Sequence, residues 1–136
     1  MMRKNKKALP KLDEKDVGLA QDLSFAVKNL IAAEDHCAIS AADSGDPKWK
    51  ALNDELRRMR SKCLTLLVKK DDSHIWCISK HLLASSMGMQ EVGNRFNQTG
   101  QESEADFFYE VSATLLLKFL EINDFTDEST IGDTSA

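Results

Sequence analysis

Apolar side chains recur at intervals of three and four residues through four stretches of the chain, the period of an amphipathic helix, and no stretch alternates as a strand would. In the first stretch Leu19, Ala20, Leu23, Val27, Leu30, Cys37, Ala38 and Ala41 fall on one face at about 100° per residue. Asp13, with Asp16 three residues on, offers that helix an N-terminal acceptor and the negative charge its dipole favours. Ser44-Gly45 ends it, because glycine accepts the left-handed backbone of a helix C-terminus. Asp46-Pro47 then opens the second helix, with aspartate as N-cap and proline at the first position, where a missing N–H costs nothing.

The second stretch repeats Trp49, Leu52, Leu56, Met59, Cys63 and Leu66, pairs Asp54 with Arg58 on its outer face, and carries Lys69-Lys70 at its C-terminal end. Asp71-Asp72-Ser73 supplies a break and the next N-cap. The third stripe is Ile75, Ile78, Leu82, Met89 and Phe96, with Ser85, Ser86 and Gly93 as small residues that let a neighbouring backbone approach. Gly100 closes it. Thr99 with Glu102, or Ser103 with Asp106, caps a fourth helix whose inner face is Ala105, Phe108, Ser112, Leu115, Leu116 and Phe119. Connections this short force consecutive helices to run antiparallel. The expected fold is all-α: an antiparallel up-down-up-down four-helix bundle with short loops and disordered tails.

Length and charge refine the boundaries. With 136 residues the chain suits one domain. Its formal charge of −4 argues against nucleic-acid or anionic-membrane binding by the body. The charge is unevenly spread, however. Residues 1–12 carry Arg3, Lys4, Lys6, Lys7 and Lys11 with no acid, and residues 121–136 carry Glu121, Asp124, Asp127, Glu128 and Asp133 with no base. The expected organisation is a basic tail at 1–12, a bundle at 13–123 and an acidic tail at 124–136. Contact with nucleic acid is expected only through the basic tail. The first twelve residues lack the apolar stretch of a secretory signal, no apolar run is long enough to cross a bilayer, and the three cysteines form no CxxC pair. Together these point to a cytoplasmic protein with reduced thiols.

Some side chains break the helical pattern. Glu34 lies at the centre of the first stripe, where a carboxylate requires a cationic partner, a metal or a water-filled gap. An ion pair with a flanking group such as Arg60 or Lys62 is the simplest solution. On the third helix His74, Cys77 and His81 follow i, i+3, i+7 spacing and project within about 60° of one another. Imidazole and thiolate are ligand types for zinc or another transition metal, so Glu34, His74, Cys77 and His81 form a candidate metal set. The paired Glu-x-x-His motifs of di-iron bundles are absent, and without the metal no cofactor is expected.

A second apolar group, Trp76, Leu83 and Met87, lies about 130° around the third helix from its stripe. Phe107 and Val111 lie off the main face of the fourth. A bundle helix needs one apolar face, so these five residues suggest an interface with a second copy or a helical partner. The chain has no P-loop, Gly-x-Gly-x-x-Gly, His-Glu-x-x-His or Gly-x-Ser-x-Gly motif, and Cys77 with His81, one turn apart, is the thiol–imidazole pair that could serve as nucleophile and base. The sequence therefore leans away from an enzyme and toward a homodimeric interaction module. The alternative is a metal- or ligand-binding bundle.

Overall fold

The computed structural model of the protein describes residues 9–13 and 15–125. Four helices follow one another: α1 Val17–Ser44, α2 Pro47–Leu67, α3 Ile75–Gln98 and α4 Glu102–Ile122, with no strand among the described residues. Their ends are set by local chemistry. Asp16 caps α1, its carboxylate accepting from the Leu19 N–H at 3.0 Å, and Asp13 instead shapes the turn before it by accepting from the Lys15 N–H. Gly45, at φ +69°, closes α1 by donating to the Ala41 carbonyl, and Asp46 caps α2 through the Lys48 N–H. Before α3, the Ser73 hydroxyl donates to Asp71 and accepts from the Ile75 N–H.

The molecule is an all-α four-helix bundle built from two helical hairpins, α1–α2 and α3–α4. The most extensive packing is within the hairpins; α1 also lies against α3 and more lightly against α4, whereas α2 has only marginal contact with the second hairpin. The shared core comprises Ala20, Val27 and Ile31 of α1, Leu64 and Leu67 of α2, Leu83 of α3, and Leu116, Phe119 and Leu120 of α4. From Ala38 of α1 to Met59 of α2 no residue is fully buried, and Ile39 is 57% exposed, so the far half of the first hairpin stands clear of that core.

The α3–α4 seam is drawn tight by small residues. Ser79, Ser86 and Gly93 on α3 recur every seven positions and are buried, as are Ala105, Ser112 and Phe119 on α4. A seven-residue repeat keeps one side of a helix against its neighbour. The Ser86 hydroxyl donates to the Ser112 carbonyl at 2.8 Å, and the Ser112 hydroxyl donates to the Ser86 carbonyl at 2.6 Å. Each hydroxyl thereby finds an acceptor in the interior, where an unpaired one is costly. Further along, the ring of Tyr109 lies over Gly93. At the other end, Asn123 donates to Ser79 Oγ at 3.0 Å.

Three stripes sit differently from the expectation. On α2, Leu52 and Met59 are 38% and 36% exposed and none of the six expected residues is fully buried, while Arg60, Leu64 and Leu67 are. On α1, Leu19 is 48% exposed and Ala38 is exposed, while Ser24, Lys28 and Ile31 are buried. This helix meets α2 on one flank and the second hairpin on the other, so its buried arc is wider than one apolar stripe. On α3 the expected stripe lies to one side of the true contact: Ile78 is 51% exposed, and Leu83 is fully buried. The second apolar group expected to face a partner therefore turns inward at Leu83, because the close seam selects small side chains and turns the bulky ones to its flanks. The expected boundary at residue 123 also moves. Asp124 takes a left-handed backbone at φ +66°, the Phe125 N–H returns to the Leu120 carbonyl, and the Phe125 side chain is buried. Most of the basic tail and nearly all of the acidic tail lie outside the described residues.

A Cβ added at Gly93 would stand 2.8 Å from two Tyr109 ring carbons and 3.3 Å from the Ala105 carbonyl oxygen. Overpacking of this kind costs about 1–3 kcal/mol. Gly93→Ala is therefore expected to lower unfolding free energy by that amount in urea denaturation, and Gly88→Ala, with open space around it, to raise or preserve it.

Candidate functional site

Charges inside a helical bundle require explanation, and among the described residues two cations are buried, Arg60 and Lys28. Arg60 of α2 donates from Nε to Glu34 Oε2 at 2.9 Å and from Nη2 to Glu34 Oε1 at 3.0 Å. This two-pronged pair, with side chains 6% and 14% exposed, accounts for the carboxylate at the centre of the α1 stripe and ties α1 to α2. It corrects the metal expectation: Glu34 is committed to Arg60, while His74, Cys77 and His81 are exposed on α3. No three His, Cys, Asp or Glu side chains among the described residues come together to hold a metal. His74, Cys77 and His81 line one surface at α3 that Glu34 does not reach, so the four candidate ligands do not assemble into a zinc site.

Lys28 has a different environment. Its side chain is 2% exposed, its Nζ stands 5.1 Å from the centroid of the Phe25 ring, and no described carboxylate lies within ion-pair distance. The aromatic face offsets part of the lost hydration. Burial nonetheless pushes the ammonium pKa below its ordinary value of 10.5. Lys28 lies in a groove of about 340 Å³ where α1 crosses the second hairpin, lined by Gln21 and Phe25 of α1, Gln90 and Asn94 of α3, and Tyr109, Ser112, Ala113 and Leu116 of α4. The Tyr109 hydroxyl donates to Asn94 Oδ1 at 2.7 Å, which leaves the Asn94 amide N–H groups free to donate. Tyr109 is the one other titratable group lining this groove.

Periodicity did not single out Lys28. The available signal was Ile31: counting it with Ala20 and Val27 widens the α1 stripe until Ser24 and Lys28 fall at its edge. A long aliphatic stem at such an edge ordinarily carries its charge to water. Here the third and fourth helices close over it.

The residues expected at an interface are divided by the fold. Leu83 is in the core and Trp76 packs against it, with Lys70 Nζ 5.1 Å from the Trp76 ring centroid. Met87 lines a smaller cleft between α1 and α3 with Ile31, Ala84 and Gly88. Only Phe107, 59% exposed, and the half-buried Val111 remain on the surface of the second hairpin. The apolar surface of α3 is on the other flank, at Ile78, Leu82 and Val92. No helix of the described chain is long and apolar enough to cross a membrane. Comparisons with protein-family models, with curated proteins and with solved structures return no match.

Removing one partner of a buried pair strands the other, at a cost of about 3–5 kcal/mol. Arg60→Ala is expected to destabilise by that order in chemical denaturation. A double variant with Glu34→Leu and Arg60→Met is expected to recover most of the loss.

For Lys28 the sign is the reverse. Its folded-state pKa is below the unfolded value, so below pH 10.5 the unfolded chain binds the proton more readily, and stability rises with pH in the interval between the two values. Lys28→Met is therefore expected to be more stable than the parent protein at neutral pH, with the gap closing as pH approaches 10.5. Urea denaturation of both proteins across pH measures this, and a gap independent of pH would contradict it.

Proposed function

We propose that the protein is a non-enzymatic helical interaction module that self-associates through the outer face of the α3–α4 hairpin. The observation that carries this reading is an uncovered apolar strip along α3. His74, Cys77, Ile78, His81, Leu82 and Ser85 line one continuous surface that holds no Asp, Glu, Lys or Arg. Helical rotation extends the same flank through Met89 and Val92, the latter 39% exposed. On α4, Phe107, Val111 and Ile122 occupy one flank in the same way, with Phe107 and Ile122 59% and 40% exposed. At about 100° per residue, Ile78 and Val92 lie roughly 140° and 180° around α3 from Leu83, and Phe107 and Ile122 roughly 180° and 120° around α4 from Leu116, so these four share the outer side of the hairpin.

A second copy is the partner that the chemistry of this face favours. A two-fold contact sets each patch against its own duplicate, which brings like charges together unless the patch carries none. The α3 strip satisfies that condition. Side by side, α3 of about 36 Å and α4 of about 32 Å present on the order of 700 Å², close to the roughly 800 Å² per partner of an ordinary stable interface. The aromatic pairs beside it, Phe96 stacked on Phe108 at 5.5 Å and Phe107 edge-on to Phe108 at 5.1 Å, provide a firm surface for docking.

Light scattering or sedimentation equilibrium across a wide protein concentration is expected to give a reversible dimer. Ile78→Asp with Phe107→Asp is expected to weaken it at least about a hundredfold, since each substitution buries a charge worth more than 1.4 kcal/mol. Circular dichroism should be unchanged, because both positions face solvent in the single chain. A monomer at every concentration would overturn the proposal. A dimer indifferent to the substitutions would reject this face.

A further inference from the structure

We propose that the groove between α1 and the α3–α4 hairpin binds a small organic monocarboxylate, with Lys28 as its counter-ion. This goes beyond self-association and uses a different side of the hairpin. Lys28 is 2% exposed, lies within the groove and has no described acidic partner. Arg60, the other buried cation among the described residues, already has its carboxylate. A bound carboxylate would give Lys28 what Glu34 gives Arg60, and burial would strengthen the attraction.

The remaining walls narrow the class of ligand. Gln21, Gln90 and Asn94 bring neutral amides, and Tyr109 brings a phenol whose oxygen is oriented by its bond to Asn94. Gly93 matters here as well, since only a residue without a Cβ lets the Tyr109 ring lie where it does. Ala113, Leu116 and the Phe25 ring are apolar and suit a hydrocarbon or aromatic body. A volume of about 340 Å³ is at the lower end of small-molecule pockets. Phosphate is a poorer match. The groove has one cation and no arginine, and it crosses the interiors of α1, α3 and α4, away from the free N–H groups of a helix N-terminus.

The test is an NMR titration of the full chain, following backbone amides, with sodium benzoate and sodium octanoate as probes and inorganic phosphate and chloride at matched ionic strength. Saturable shifts centred on Lys28, Asn94 and Tyr109 are expected with at least one carboxylate and with neither inorganic anion. Lys28→Met is expected to weaken that binding about tenfold or more, and Asn94→Ala about threefold to tenfold, the range for a lost charged and a lost neutral hydrogen bond. Both variants should retain the dispersed spectrum of a folded bundle. Three results would overturn the proposal: no saturation by either carboxylate up to roughly twenty millimolar, a range typical of weak fragments; equal saturation by phosphate or chloride; or binding that survives Lys28→Met unchanged.

Discussion

Ser86 and Ser112 each donate a hydroxyl to the other's main-chain carbonyl, and this exchange requires α3 and α4 to lie closer than large side chains would permit. Much of the molecule follows from that separation. Small residues occupy the seam at Ser79, Ser86, Gly93 and Ala105, with Phe119 as the bulky exception, so Ile78, Leu83, Val92 and Phe107 stand on its flanks. On the inner flank Leu83 and Leu116 receive α1 and complete the core. On the outer flank Ile78, Val92 and Phe107 are exposed among the described residues, and an apolar surface is left over. The same close approach that binds the second hairpin together therefore creates the face proposed for self-association.

The first hairpin is held in a different way. Its buried apolar content is modest, with only Leu64 and Leu67 fully buried in α2 beside Arg60, and a charged pair joins the two helices midway. A buried ion pair of this kind contributes little net stability relative to apolar packing, but it penalises any register that separates the partners. It thus fixes how α2 sits on α1. Lys28 is the counterpart on the opposite flank of α1, buried at a similar depth without an acid among the described residues. One helix carries both arrangements because it is sandwiched between α2 and the second hairpin. The comparison between them isolates what Lys28 lacks.

Much of this was legible beforehand. The caps at Gly45, Asp46 and Pro47 act through neighbours within four residues, so their outcome does not depend on the rest of the fold. The α4 stripe was readable for a similar reason: Ala105, Ser112, Leu116 and Phe119 combine a clear period with one dominant packing partner, α3. Glu34 was recognisable as a residue in need of a cation, and Arg60 was among the nearby candidates. The zinc set failed because helical spacing aligns side chains within one helix but says nothing about whether Glu34 of another helix faces them.

The sequence by itself determined the helices, their order, their antiparallel succession and the need to neutralise Glu34, since all of these rest on local hydrogen bonding, short connections and the cost of a bare buried charge. Tertiary structure alone decided which flank of α3 is core and which is surface, and that Lys28 lies inside. Along a single helix a serine–glycine seam reads as weakly polar, because its value appears only when a second backbone arrives within hydrogen-bonding reach. A lysine at the edge of a stripe likewise reads as solvated until two other helices cross above it.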